Sequence, residues 1–288
     1  MSRLRIVHDT VYRYRRPVQF GSHRLVLRPR EGHDLNVARM TLEAQPTFRL
    51  AWSRDIFGNS VGILTLLEPS DTLHIRSEVL LDRPEHAVVG HVGPVEYPAS
   101  YGALEAAATA VYLTPSYPDD HAAVRAFVFE TLGLAPRGDV AEALNRLNAE
   151  IYQRIAYRRR EEKGVQTPSQ TLPLGTGSCR DKATLFLECA RTLGIAARFA
   201  SGYLDSAASE AGRGATHAWA EVYLPENGWC GFDPTVGRVT GDDHVVVGVS
   251  AHPRGVMPIS GKYTGDPADF VGMEVAVHIS PVDARAEG

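Results

Sequence analysis

Cysteine is scarce in this sequence, with three residues, Cys179, Cys189 and Cys230, in 288. They are too few and too unevenly placed for a disulfide framework, and no CxxC pair suggests zinc. Any sulfur chemistry therefore belongs to single, reduced thiols. Long apolar runs are missing too. No uninterrupted stretch approaches the ~18 residues of a spanning helix, and the opening MSRLRIVHDT has no apolar core of a secretion signal. Cytoplasmic residence away from membranes is the expectation. Charge of one sign is also absent. The 30 Lys and Arg against 34 Asp and Glu leave a net −4 with no long basic run, so neither nucleic acid nor an anionic membrane is an expected partner. No internal repeat is visible, and nothing in the residue spacing calls for a metal or another cofactor.

What is present suffices for two domains, since 288 residues at 44% hydrophobic content can fill two cores. The first part reads as β structure. Ile6 to Tyr14, His23 to Arg28, Val37 to Ala44, Phe48 to Asp55, Ser60 to Leu67 and Thr72 to Leu80 are short runs with turn residues between them. They predict a β-sandwich over residues 1–90. Arg24, Arg28 and Arg30 are read as a solvated strand face rather than a carboxylate site. Asp82 to Ser100, with three prolines and two glycines, reads as a linker into a second domain over residues 91–288. There the period changes. Alanine-rich Tyr101 to Leu113 predicts a short helix. Asp120 can cap a helix through Leu132, and Asp139 another with Val140, Ala143, Leu144, Leu147 and Ile151 inward. The mixed charges of RRREEK at 158–163 read as a solvated loop rather than a binding patch, and the following GVQTPSQTLPL is expected to lead into the nucleophile turn and border the cleft, a candidate contact for substrate.

The stretch GTGSCRDKATLFLECARTL at 175–193 is the chemical centre of the chain. A glycine-flanked turn ends in Cys179, and Ala183, Phe186, Ala190 and Leu193 follow at helical spacing, with Gly194 suited to the C-terminal cap. Cys179 on the first turn of a buried helix would meet unpaired N–H groups and the positive end of the helix dipole, which favour thiolate. Downstream, THAWAEVYL alternates strictly. His217, Trp219, Glu221 and Tyr223 fall on one strand face, with Ala218, Ala220, Val222 and Leu224 on the other. GWCGFDPT reads as a second strand ending in Asp233, joined to the first by the turn-rich residues 225–228. Such a hairpin could set Asp233 beside the imidazole of His217. Nucleophile, base and orienting carboxylate would then come from a helix start and two neighbouring strands. Each residue has a plainer reading as well. Cys179 could be a small buried hydrophobe, His217 a satisfied structural histidine, and Asp233 before proline an Asx turn. Cys189 and Cys230 are read as core, and the other ten histidines have no comparable context. Asp205 to Ala215 reads as a mobile loop, the last strand is placed at Met273 to Ile279 within the catalytic sheet, and the tail from Asp283 is expected to be disordered.

The order Cys179, His217, Asp233, set in GTGSCRDKATLF, ARFASGYL, THAWAEVYLPENGW and GFDPT, resembles the transglutaminase-like superfamily of papain-type folds. The spacings, 217 − 179 = 38 and 233 − 217 = 16, suit that core. HDTVYRYRRPVQFGSHRLVLRPR and WSRDIFGNSV are similar to the β domain that precedes it in bacterial members, and DDHVVVGVS, ISGKY and MEVAVHIS fit their carboxy-terminal part. Lys182 and Thr184 stand where an aromatic residue and a histidine are common. The resemblance implies an α+β fold, a papain-like transglutaminase core of helices on an antiparallel sheet preceded by an N-terminal β-sandwich. It implies a Cys179, His217, Asp233 triad, with Gly177, Ser178 and Trp219 as expected substrate contacts. The reaction implied is acyl transfer on an amide or peptide bond of a peptide or protein through a thioester, with hydrolysis favoured. Transamidation, or a non-catalytic binding module, is the alternative. The sandwich could recognise substrate, cover the cleft or join two copies in a homo-oligomer.

Overall fold

The structure, a computed structural model, describes residues 2–84, 94–133, 138–160, 162, 164–205 and 214–282. The proposed division at 90/91, most of the loop expected over 205–215 and the tail from Asp283 lie outside the described residues. The amino-terminal stretch forms β1 (Ser2–Phe20), β2 (His23–Leu25), β3 (Asn36–Gln45), β4 (Phe48–Arg54), β5 (Ser60–Leu66) and β6 (Ser70–Arg83). Their sequences alternate, as a strand with one buried face must. In β6, Leu73, Ile75, Val79 and Leu81 are buried, while Arg76 and Glu78 between them pair with Asp9 and Arg5 of β1. One sheet is built on β1, β6 and β3, the other on β2, β5 and β4, and Phe20, Leu25, Leu64, Leu73 and Ile75 pack in one cluster drawn from both sheets. This is the expected sandwich.

The second part supplies α1 (Ala103–Leu113), α2 (His121–Leu132), α3 (Val140–Arg154), β7 (Ala156–Tyr157), α4 (Pro168–Leu174), β8 (Thr176–Gly177) and α5 (Cys179–Thr192). β9 (Ala197–Leu204), β10 (His217–Leu224), β11 (Gly228–Asp233), β12 (Arg238–Val239) and β13 (His244–Ser250) follow. Asp139 caps α3 as read, its carboxylate accepting from Ala141 N–H at 2.9 Å. Asp120 stands at the cap position of α2 but binds elsewhere. Its carboxylate accepts from the N–H and hydroxyl of Ser169 at 2.9 and 2.7 Å, tying the start of α2 to α4. α4 falls in the stretch expected to border the cleft, where no element is predicted. Thr167 and Gln170 form a capping box around Pro168 at the first helical position, a short signal that the many polar residues obscure.

The catalytic-side sheet runs in the order β12, β11, β10, β9, β13, all antiparallel. Ala218, Ala220, Val222 and Leu224 of β10 join a core with Phe186 and Ala190 of α5 and Leu144 and Leu147 of α3. On the other side, Tyr203, Val245 and Val247 pack with Leu4, Ile6, Val26 and Val79 of the sandwich. The sheet is thus covered twice. α5 lies inside the resulting layer, buried on nearly every side rather than along one stripe.

The carboxy-terminal strands correct a second expectation. β13 joins the catalytic-side sheet, but β14 (Ile259–Ser260) pairs with β2, β15 (Tyr263–Thr264) with β1, and β16 (Phe270–Pro281) with β1 along Leu4 to Tyr14. β1 has two edges and β6 occupies one, so β16 closes the other.

Candidate active site

The sulfur-bearing turn is held by Asp181. β8 lies parallel to β7, and the Arg158 N–H donates to the Gly177 carbonyl at 2.9 Å. Asp181, three residues into the Cys179 turn, is fully buried. It accepts from Ser178 N–H and Oγ at 2.8 Å each, from Gln166 N–H at 2.7 Å and from Arg160 at 2.9 Å. One carboxylate therefore fastens the incoming chain to the first turn of α5. Gly177 lets the turn pass this close, because a Cβ there would lie 3.0 Å from that of Asp181. Cys179 is the first residue of α5 and 8% exposed. The other two thiols are core residues, as read. Burial pushes Cys230 up to about 11 and Cys189 higher still.

His217 and Asp233 meet at the end of the sheet where β10 begins and β11 ends. Asp233 Oδ2 accepts from His217 Nε2 at 2.6 Å. Asp233 Oδ1 accepts from Thr235 N–H at 2.8 Å, so the Asx-turn reading and the partner-to-histidine reading both hold, one on each oxygen. Burial alone would lower the His217 pKa, but Asp233 and then Cys179 outweigh it, and the imidazole is held above its ordinary value. Burial alone would likewise raise Asp233, and His217 and His244 keep it well below the usual carboxylate range. His217 Nδ1, the nitrogen not used by Asp233, is buried with no hydrogen-bond partner. The bound nitrogen thus fixes the ring, and Cys179 lies near enough to act on the imidazole.

A third residue belongs to this cluster. His244, at the start of β13, sets Nε2 at 3.2 Å from Asp233 Oδ2 and Nδ1 at 2.8 Å from Asp243 Oδ1, and Asp243 in turn pairs with Arg238. The reading of the other histidines as lacking context fails here. Its signal was topological rather than local. β9 and β11 end where β10 and β13 begin, so the first residue of β13 comes to the same end of the sheet as His217 and Asp233. His217, Asp233 and His244 offer ligand atoms within 4.8 Å of one another, close enough for a small metal ion. The hydrogen bonds just described account for the same atoms.

Of the expected substrate contacts, Trp219 is corrected by its burial. It has no exposed surface, packs with Ala200 and Val249, and stands edge-on to His244 with ring centroids 5.1 Å apart. Gly202 makes room for it on β9, since a Cβ there would fall 2.8 Å from the indole and 2.0 Å from the Val245 carbonyl oxygen. Gly177 and Ser178 precede Cys179 in the turn, and the N–H and hydroxyl of Ser178 are both engaged by the Asp181 carboxylate. Glu221 and Trp229 are structural. Arg198 pairs with Glu221 at 2.7 Å and lies over the Trp229 ring at 3.8 Å. Lys182 and Thr184, the two residues that depart from the family pattern, are both buried; the Lys182 side chain reaches back toward α3. Lys182 Nζ donates to the Ile155 carbonyl at 2.8 Å, and burial lowers its pKa to about 8. Arg24 pairs with Asp55 and Arg28 with Glu31, while Arg30 donates to Asn59 and the Phe57 carbonyl, so the three arginines are braces within the fold.

Residues 130–234 match the family model described as the transglutaminase-like superfamily, and residues 4–82 match that of the bacterial transglutaminase-like N-terminal region. The uncharacterized protein Rv2569c of Mycobacterium tuberculosis is 30% identical, over 99% of this chain and 94% of its own length. ML0607 of Mycobacterium leprae, also uncharacterized, is 24% identical over 97% of this chain and 99% of its own. A crystal structure from Cytophaga hutchinsonii, named "Putative Cysteine Protease", superposes with a TM-score of 0.73 at 17% identity, covering 98% of this chain and 91% of that one. Among the described residues no helix is long and apolar enough to cross a membrane.

Proposed function

This chain belongs to the transglutaminase-like superfamily, and on that premise we propose that it is a cysteine-dependent acyl-transfer enzyme that hydrolyses an amide or peptide bond through a thioester on Cys179. The observation that carries the reading is the His217–Asp233 hydrogen bond of 2.6 Å, which leaves His217 Nδ1 unpartnered beside Cys179 at the start of α5. In this scheme His217 Nδ1 takes the proton of the Cys179 thiol, and the sulfur attacks the substrate carbonyl carbon. The N–H groups of Cys179 and Arg180 at the start of α5, ahead of the Asp181 N–H that donates to the Ser178 carbonyl, would serve the developing oxyanion. His217 returns its proton to the leaving nitrogen as the carbon–nitrogen bond breaks, giving the thioester. Water, deprotonated by the same imidazole, then releases the acid and restores the thiol. Asp233 holds the ring in register and stabilises its protonated form. Gly177 and Ser178 shape the turn beneath the acyl group.

Hydrolysis is favoured over transamidation because the Cytophaga protein that shares this fold is named a cysteine protease. The substrate class is a peptide or protein amide, and three free thiols suit a reducing compartment such as the cytoplasm. The test is mass spectrometry of the protein and its Cys179→Ala variant after incubation with a broad peptide pool, with and without a primary amine. New termini, or ammonia lost with water gained, only where the cysteine is intact, are the expected result. Amine adducts that outcompete water would make the protein a transamidase. Absence of any cysteine-dependent product, together with slow and unselective iodoacetamide labelling, would make it a binding module.

A further inference from the structure

We propose that His244 is a positioning residue, a buried imidazolium clamped between Asp233 and Asp243 that fixes the Asp233 carboxylate against His217 and limits how strongly it raises the basicity of that ring. The inference rests on reading Asp233 as the orienting carboxylate of the site.

The geometry assigns the charge. His244 Nε2 lies 3.2 Å from Asp233 Oδ2 and Nδ1 lies 2.8 Å from Asp243 Oδ1. Ionised carboxylates only accept hydrogen bonds. A neutral imidazole carries one N–H, so one of its nitrogens would face a carboxylate oxygen lone pair to lone pair. Two N–H groups satisfy both sides, and the ring is then a cation. The Gly241 N–H, 3.3 Å from Nδ1, is the one alternative partner for an unprotonated nitrogen, and it is farther away than Asp243 and uncharged. With its side chain 2% exposed, water does not compete. Charged groups of both signs surround the ring, and the two in direct contact with it are carboxylates. Asp233 comes from β11, Asp243 from the approach to β13, and Arg238 of β12 pairs with Asp243 from the far side. Arg83 of β6 donates to the His244 carbonyl at 3.2 Å and is itself drawn toward Asp242, Asp205 and Asp243, while Lys182 of α5 acts on Asp233. Burial works against the charge, and the two carboxylates outweigh it.

Two effects on catalysis follow, of opposite sense. Asp233 is held by three donors from three segments, His217 and His244 on Oδ2 and Thr235 on Oδ1, so the carboxylate cannot rotate away from His217. The cation also stands 6.3 Å from the His217 ring, centroid to centroid, and disfavours protonation there. Asp233 favours the imidazolium of His217, and the neighbouring cation offsets part of that bias.

The two effects separate by substitution. His244→Gln retains a donor near the Nε2 position and removes the charge, whereas His244→Ala removes both. Nitrogen-15 NMR of imidazole-labelled protein is expected to show both His244 nitrogens protonated at pH 7, and a neutral tautomer there would overturn the proposal. In either variant the His217 titration midpoint is expected to rise by about one pH unit. No movement, or a fall, in a variant whose circular dichroism matches the parent would equally overturn it. Iodoacetamide labelling of Cys179 at pH 7 is expected to stay within about threefold in His244→Gln and to slow by ~10-fold in His244→Ala. Equal labelling in both would remove the positioning role. Should Cys179 not label selectively in the parent protein, the acyl-transfer reading fails, yet the NMR result still decides the charge of His244. Should His244→Ala not fold, His244→Gln and the parent protein carry the test.

Discussion

At the scale of single residues, Asp233 sits at the centre of the candidate site, and its two oxygens hold different partners. Asp233→Asn would retain the turn bond to Thr235 but could not stabilise a protonated His217, and a loss on the order of 10²–10⁴-fold in cysteine-dependent turnover is expected. The same substitution has a pH signature in stability. Asp233 is held below its ordinary 3.8, so its contribution is present above that pH and lost as pH falls through the lowered value. His217 is held above its ordinary 6.5, so its contribution is full below that pH and lost as pH rises through the raised value. The difference in melting temperature between parent and Asp233→Asn should therefore be largest between about pH 4 and about pH 6.5 and shrink toward pH 9. Thermal scans across that range check it, and a difference that widens above pH 6.5 would contradict the assignment. Cys179, His217 and Asp233 were legible in the sequence because each sits in a local signal, a glycine-flanked turn before a helical stripe, a strict alternation, an Asp-Pro strand end. His244 was not, because what brings it to Asp233 is the order of four strands, and DDHVVVGVS carries no trace of that order.

At the scale of elements, α5 is the member on which the others depend, and its two ends are secured differently. The Cys179 end is held by Asp181. The other end is held by Arg191, whose guanidinium donates to the carbonyls of Tyr112, Ala197 and Ala251 at 2.9, 2.9 and 2.6 Å, to Ser116 Oγ at 2.7 Å and to Glu188 at 3.0 Å. Both charged side chains are almost wholly buried, at 1% and 4% exposure. Arg191→Met removes five donated bonds and leaves Glu188 buried without its cation, so a loss of about 3–5 kcal/mol in urea unfolding is expected. Glu188→Gln should cost less, since its amide can still accept from the guanidinium and from Ser116 N–H. Equal losses would point to packing rather than charge. The helix itself was readable from the positions of Ala183, Phe186 and Ala190, but its burial on all sides was not. Arg191 and Glu188 look like an ordinary charged pair on a solvated face until α1, β9 and the turn after β13 are brought against them. α4 escaped for the opposite reason, because one capping box around Pro168 is too little local signal to outweigh a run of polar residues.

At the scale of the whole molecule, the sandwich is a structural half of the catalytic-side sheet. The change from strand runs to helical periodicity after residue 100 marks two regions, but composition cannot say which faces they share. Tyr203, Val245 and Val247 point away from the helices and bury against Leu4, Ile6, Val26 and Val79, and Asn59 of the sandwich donates to the Val249 carbonyl at 2.8 Å and accepts its N–H at 2.9 Å. The chain then returns after β13 to lay β16 along β1. A fragment beginning at residue 94 would uncover one side of β9 and β13 and leave β14, β15 and β16 without their pairing strands. Such a fragment is expected to bind a hydrophobic dye, to lose the near-ultraviolet circular dichroism of the buried Trp219, and to label Cys189 and Cys230 alongside Cys179. The full chain should instead unfold in a single transition detected alike by tryptophan fluorescence and far-ultraviolet dichroism. Cooperative unfolding of the isolated fragment would show that the sandwich is an appendage. The double coverage of β9 and β13 argues against that, because a sheet with helices on one side needs apolar cover on the other before His217, Asp233 and His244 can be held at its end.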